Sequence, residues 1–252
     1  MNKNFFCKKP FINLYKKNNK NSEIVSQIIY GEKLRLIKKK SGWLYVKNTY
    51  DNYKGYIENI QLEHFFIPTH KVTILKSLIY KKNKKSKFIK TKKFLPFCSK
   101  INIINKSKKF SNFQNNEWLK NKDLVKIDYI EKNLIKVVKS FLNIKYIWGG
   151  KTYKGIDCSA LLQIFFQFNN IFVPRDSKDQ EKFFKKNTYK FLKNNLIFWK
   201  GHIAICISKK LLIHAYGPKK KVIVMNIKKT INEIKNNTNL NIIKIKQINA
   251  IR

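Results

Sequence analysis

Near residue 128 of this 252-residue chain, the spacing of apolar residues changes from every second position to every third or fourth. One polypeptide must therefore build two kinds of structure. Before that point, "KLRLIKKKSGWLYVKN" (33–48) alternates on either side of a Ser-Gly turn, and "YKGYIENIQL" (53–62) follows another glycine, which predicts short strands in small β-barrels. After it, "YIEKNLIKVVKSFLNI" (129–144) carries apolar residues at 134, 137, 138, 141 and 142, a helical stripe. Cys158, Leu161, Leu162, Phe165 and Phe166 repeat that spacing and predict a helix beginning at Asp157-Cys158, with one face buried. "DSKDQEKFFKK" predicts a further helix with Asp176 as its cap. The runs "LIFW", "HIAICI", "LLIHAY" and "KVIVMNI" predict strands, followed by a helix, "KKTINEIKN", and a last strand, "NIIKIKQI". Helices first and antiparallel strands afterwards make an α+β domain.

The β-rich part contains a faint repeat. Sliding the sequence by 62 residues lays "YIENIQL" (56–62) over "WLKNKDL" (118–124), with an aromatic-aliphatic pair and then Leu six positions after the aromatic in both. Two copies of one module follow, at 10–66 and 67–128, the second diverged, with the α+β domain at 129–252.

Composition sets limits on partners. With 43% apolar and 14% aromatic residues the chain has enough to bury a core despite its charge. Lys plus Arg number 55 against 14 acids, a net charge of +41 that favours polyanions in a salt-dependent way. The lysines are spread over the whole chain among many Asn, Ile and Phe, as an A- and T-rich coding bias produces. They form no single stripe, so non-specific polyanion binding is expected and specific nucleic-acid recognition is not. Cysteines at 7, 98, 158 and 206 form no CxxC pair and no Cys/His metal spacing, so no metal or other cofactor is expected. Free thiols fit a reducing compartment. The N-terminal segment breaks its apolar residues with lysines, and no run approaches the roughly 20 apolar residues of a membrane span. A cytoplasmic protein is expected, with export by another route left open.

The cysteine of "GIDCSALLQIFF" (155–166) carries the chemistry. A Cys on an apolar helix face is by itself most simply a small buried residue. A thiol at a helix N-terminus is also where free N–H groups and the helix dipole favour the thiolate, which predicts a pKa below the ordinary value of about 8.5. His202 opens "HIAICI" and His214 lies twelve positions later on "LLIHAY". Adjacent antiparallel strands can set the two imidazoles side by side, one as base to the thiol and the other behind it, the order a cysteine nucleophile requires. His64 and His70 receive no role.

"YIWGG", "GIDCSALL", "PRDSKDQ", "LIFWKGHIAI" and "LLIHAYG", in this order, resemble the catalytic domain of the NlpC/P60 family of papain-like cysteine peptidases, which cleave peptidoglycan stem peptides. The likeness covers about 130–252. The β-rich modules resemble the bacterial SH3-like barrels that precede such domains, so the expected fold is an α+β papain-like domain behind two small all-β barrels. The resemblance implies Cys158 as nucleophile, His202 as general base and later acid, and His214 as the orienting third residue. It also implies that Tyr146 joins the Cys158 N–H at the oxyanion, and that Asp176 and Ser177 hold a substrate's free N-terminal ammonium, a cation that a carboxylate can pair with. Asp157 and Ser159 are further substrate-binding candidates. Glu23, Glu32 and Glu58 are the first-module acids available to complete the amine pocket of such an enzyme, and Glu23 is the one put forward. The implied partners are peptidoglycan-derived peptides, cleaved between γ-D-Glu and diaminopimelate or lysine.

Two departures from the family pattern stand out. "DCSA" replaces "DCSG", which puts a tolerated methyl on a helix, and Asn194-Asn195 replace the "GD" before "LIFW". Two other readings compete with a peptidase. One is a catalytically idle module protein that holds an anionic polymer, which the intact Cys/His/His set argues against. The other is a papain-like amidase or acyltransferase, against which the "PRDS" match favours peptides with a free amine.

Overall fold

The computed structural model describes residues 4–59 and 64–248. Two compact units divide the chain, one up to Ile130 and the other from Glu131 onward.

The first unit is all β. Its first module is an antiparallel sheet in the spatial order Asn4–Phe6, Lys33–Lys40, Trp43–Asn48, Lys54–Glu58, Phe11–Tyr15, Ile24–Ile29. The predicted Ser-Gly turn joins Lys33–Lys40 to Trp43–Asn48, with both turn residues at positive φ (Ser41 35°, Gly42 75°), as a tight hairpin requires. Cys7, Leu14, Ile28, Leu34, Leu44, Val46 and Ile57 form its core.

A second module combines the sheet Lys100–Ile101, His70–Val72, Leu124–Lys126 with the sheet Asn105–Lys106, Phe110–Gln114, Glu117–Lys120, Lys76–Lys82, Phe88–Pro96. The segments matched by the repeat begin as strands in both copies, Lys54–Glu58 and Glu117–Lys120. In the second copy a 3₁₀ turn, Asn121–Asp123, follows; residues 60–62 of the first lie outside the described residues.

Tyr30, from the first module's sequence, is buried in the second core with Val72, Ile79, Leu95, Ile101, Phe113 and Leu119. Its hydroxyl donates to Gln114 Oε1 at 2.7 Å. Gly31 makes this crossing possible. Its φ is +79°, and a Cβ there would run into the Lys100 carbonyl.

The second unit is α+β. Helices α1 (Leu134–Lys139), α2 (Cys158–Phe168) and α3 (Ser177–Phe183) precede most of an antiparallel sheet, and α4 (Ile227–Thr238) precedes its last strand. The sheet runs Asn187–Thr188, Lys244–Lys246, Leu196–Trp199, His202–Cys206, Leu211–Tyr216, Lys221–Asn226. Helix α2 packs on two neighbouring strands of it, His202–Cys206 and Leu211–Tyr216.

Two expectations change here. Every residue of α2 is buried, Gln163 and Gln167 included, not one face alone. The Gln163 amide is accommodated by donating to the Val173 carbonyl at 3.0 Å. Helix α1 is also shorter than its stripe: Asn143 turns left-handed (φ 63°) and donates its N–H to Val222 O at 3.0 Å, which draws the chain off the helix into strand contacts. Among the described residues no helix is long and apolar enough to cross a membrane.

Candidate active site

Cys158 is the first residue of α2, and Asp157 caps that helix by accepting the Ala160 N–H at 2.8 Å. The thiol residue is 6% exposed. The N–H groups of Ser159 and Ile203 donate toward its sulfur, so it lies against the strand that His202 opens.

Asp157 does more than cap. Arg175 donates to both of its oxygens, Nη1 to Oδ1 at 3.0 Å and Nη2 to Oδ2 at 2.5 Å, the two-pronged pairing that only a guanidinium makes. Gly149 of the "YIWGG" loop donates its N–H to Oδ2 at 2.9 Å. Ser159 Oγ donates to Oδ1 at 3.1 Å and accepts from Arg175 Nη1 at 2.9 Å. Gln180 Nε2 ties α3 to the same knot by donating to the Ser159 carbonyl at 3.0 Å. Asp157 and Ser159, expected among substrate contacts, thus have their polar atoms turned inward, at 5% and 6% exposure. The knot joins the loop before the thiol, the helix that bears it and the segment after the helix.

The two histidines meet as the strand order requires. Gly201, at φ +75°, closes the turn from Trp199 into the His202–Cys206 strand, whose pairing with Leu211–Tyr216 sets His202 and His214 diagonally across one face. His202 Nε2 lies 2.9 Å from His214 Nδ1. Tyr216 stacks on the His214 ring at 4.5 Å with planes 12° apart.

Burial governs the electrostatics. It pushes the Cys158 thiol up to about 12, with the Asp157 charge adding to the rise, against the pull of the Ile203 and Ser159 N–H groups and of Arg175. The expected lowering by the helix terminus is therefore overturned, because the sulfur has been taken out of water. Burial also brings His202 down to about 4, and holds His214 well below the ordinary imidazole value, with His202 beside it as a second cause. Burial therefore favours the neutral forms of the thiol and of both imidazoles.

Stability inherits a pH dependence from this burial. An unfolded histidine takes up a proton near pH 6.5, whereas folded His202 refuses it until about pH 4. The stabilisation is present above pH 6.5 and is lost as pH falls through about 4, up to about 3 kcal/mol from this residue. Thermal melts between pH 7.5 and 4 should fall steeply below 6.5, and a His202→Gln variant should show a shallower slope over the same interval; equal slopes would contradict the account.

Tyr146 is half-buried, and its phenol is raised first by burial and then by the charges of Cys158 and Asp157, which places it in the thiol's electrostatic neighbourhood. Asp176 and Ser177 begin α3. Asp176 holds the cap position by backbone geometry, but its side chain makes no capping hydrogen bond, contrary to the expected cap. In the first unit, Glu23 pairs with Lys16 and Glu58 with Lys20, each at 2.8 Å. Glu32 is buried and accepts from Ile29 N and from Asn48 Nδ2. Sequence reasoning passed over Arg175 and Met225. For Arg175 a signal was present: the chain has only three arginines, at 35, 175 and 252, among 55 basic residues, so an arginine marks a place where lysine does not serve.

Residues 143–238 match the NlpC/P60 family and residues 14–62 the bacterial dipeptidyl-peptidase Sh3 domain. Dipeptidyl-peptidase 6 of Lysinibacillus sphaericus is 25% identical over 232 residues, covering 81% of this chain and 84% of the relative. Gamma-D-glutamyl-L-lysine dipeptidyl-peptidase of Bacillus subtilis (strain 168) is 24% identical over 236 residues, covering 83% and 78%. The crystal structure of an NlpC/P60 family protein from Bacillus cereus ATCC 10987 superposes with a TM-score of 0.80 at 18% identity, covering 97% of this chain and 99% of that one, a likeness of fold. Fold and relatives together define a cysteine-type peptidase that carries SH3-like modules ahead of its α+β unit. The chain thus carries an NlpC/P60 domain, with a bacterial SH3-like domain ahead of it.

Proposed function

We propose that this peptidase acts on peptidoglycan stem peptides as a dipeptidyl-peptidase, hydrolysing the bond from γ-D-Glu to diaminopimelate or lysine in fragments with a free N-terminal L-Ala. The observation that carries the reading is the line of groups at the start of α2: the Cys158 thiol against the strand opened by His202, and His202 bonded to His214 at 2.9 Å. The relatives named dipeptidyl-peptidase support the substrate class.

In this reading Cys158 Sγ attacks the γ-carbonyl carbon while its proton passes to His202. The carbonyl π pair moves onto oxygen, and the backbone N–H of Cys158 and the Tyr146 hydroxyl meet the oxyanion. Collapse re-forms the carbonyl and breaks the C–N bond, and His202 gives its proton to the departing amine. A water then attacks the thioester with His202 again as base, releasing the dipeptide acid and restoring the thiol. Ionising either group alone in this buried place is unfavourable, but passing one proton between them creates no net charge. His214 orients His202. The half-buried Asp176 carboxylate takes the substrate ammonium together with Ser177. Small trimmed muropeptides and a cytoplasmic recycling role fit this gate.

L-Ala-γ-D-Glu-meso-diaminopimelate and its N-acetyl copy test the reading, with products followed by mass spectrometry. The free-amine peptide should release L-Ala-γ-D-Glu, and acetylation should lower kcat/KM by about 30-fold to 100-fold, the size of a charge-assisted contact. Asp176→Asn should lose about as much on the free peptide and little on the acetylated one. Equal rates on both peptides would remove the ammonium pocket, and no cleavage of either would remove the substrate assignment.

A further inference from the structure

We infer that the thioether of Met225 sets the proton order of the imidazole pair and so determines which nitrogen of His202 is free to act as base. The inference rests on the assignment of His202 as base to Cys158.

His214 is fully buried, with Nδ1 2.9 Å from His202 Nε2 and Nε2 3.3 Å from Met225 Sδ. A neutral imidazole has one N–H and one bare nitrogen, and a thioether has no proton to give, so the Met225 contact admits one arrangement. His214 carries its proton on Nε2 and donates it to sulfur. Its Nδ1 is then an acceptor, His202 must donate from Nε2, and His202 Nδ1 keeps its lone pair. The order runs outward from sulfur: Sδ, H–Nε2 and Nδ1 of His214, H–Nε2 and Nδ1 of His202.

A histidine in the third position needs such a device. An amide side chain has a fixed acceptor oxygen, whereas an imidazole presents either a donor or a lone pair to its partner according to its tautomer. Were His214 protonated on Nδ1, His202 Nε2 would become the acceptor and its proton would sit on Nδ1, leaving that nitrogen unable to act as base. Met225 reaches His214 diagonally, because Leu212 pairs with Met225 and His214 with Ile223 across the Leu211–Tyr216 and Lys221–Asn226 strands.

Other contacts hold the ring planes. Tyr216 stacks on His214 at 4.5 Å and lies 5.7 Å from His202, and Trp199 lies 5.7 Å from His202 on its own hairpin. Of the titratable groups near this pair, Tyr216 lies against both rings and is itself bonded to Glu233 of α4, and Cys158 of α2 accepts from the N–H of Ile203, the residue after His202. The aromatic rings fix orientation, which leaves proton placement as the part Met225 plays. It is a positioning residue.

Met1 and Met225 are the two methionines of the chain, so biosynthetic norleucine exchanges sulfur for methylene at one internal position with volume kept. Nitrogen-15 spectra of histidine-labelled protein at pH 7 report each tautomer without substrate, and the peptide assay reports rate. The native protein should show Nε2–H for both His202 and His214. The norleucine protein should show His214 divided between tautomers, with kcat down about threefold to tenfold, the worth of one modest hydrogen bond, and KM unchanged. Selenomethionine, which still accepts, should rescue both readouts, and Met225→Leu checks the result in a genetically encoded variant. Unchanged nitrogen shifts overturn the inference, whether or not the rate falls, since a fall alone means packing; so does a tautomer shift with no change in rate. An inactive protein that retains the native nitrogen pattern and its loss in norleucine protein would count against the base assignment and not against the proton order.

Discussion

Alanine at position 158 is expected to abolish peptide hydrolysis and leave the fold in place. Removing the nucleophile of such a mechanism lowers kcat on the order of 10⁵-fold to 10⁶-fold, because no other group supplies the covalent step. The structural effect is small: the exchange deletes one buried sulfur, and the caps and contacts that hold α2 belong to Asp157, Ser159 and Arg175. Urea unfolding should shift by about 1 kcal/mol, the scale for one buried methylene-sized group. Cys158→Ser should be nearly as inactive, since a serine hydroxyl is a far weaker acid than even a thiol pushed up to about 12. His202→Ala should lose a comparable factor, and the double variant little more, because base and nucleophile act as one unit. Residual activity above about one part in a thousand in Cys158→Ala would move the nucleophile elsewhere, and additive losses in the double variant would show that His202 does not serve Cys158.

What could be read from the sequence followed local pattern. The spacing of Cys158, Leu161, Leu162, Phe165 and Phe166 fixes where α2 begins, and Ser41-Gly42 fixes a hairpin, because both signals lie within a few residues. His202 and His214 were legible as a pair since two short strands joined by a lysine turn leave them little choice but adjacency. Contacts between distant segments were not legible. Arg175 reaches Asp157 eighteen residues away, and Met225 reaches His214 across a strand pair whose register no local pattern sets. Tyr30 completes the core of a module other than the one its sequence belongs to, because Gly31 lets the chain press against Lys100. The thiol's pKa was misjudged for a related reason: a helix terminus is visible in one dimension, whereas desolvation comes from everything packed around it.

Arg175→Met should be the most destabilising single substitution in the α+β unit among those bordering the site. Arg175 and Asp157 are 2% and 5% exposed, so removing the guanidinium strands a carboxylate in a place that water does not reach. Breaking a buried pair from one side costs about 3–5 kcal/mol, while removing both charges together is often close to neutral. The double variant Arg175→Met/Asp157→Asn should therefore recover much of the loss, because no charge is left stranded and the amide oxygen still accepts from Ala160, while the Gly149 N–H loses its carboxylate partner. Arg175→Lys should fall between, since an ammonium cannot span both oxygens of Asp157.

Activity should not follow stability in this series. Asp157 ties the Gly149 loop to the first turn of α2, so the single variant displaces Cys158 and the Tyr146 loop relative to each other. A shift of about 1 Å between reacting groups is worth about 100-fold in rate, and the double variant, without the clamp, should stay at least about tenfold below the native kcat/KM even after its stability returns. Urea unfolding and peptide hydrolysis on the same three proteins separate these effects. A loss under about 1 kcal/mol in Arg175→Met would mean that the buried ion pair does not hold this unit together. Full recovery of rate in the double variant would mean that the clamp supports the fold and has no part in placing the thiol.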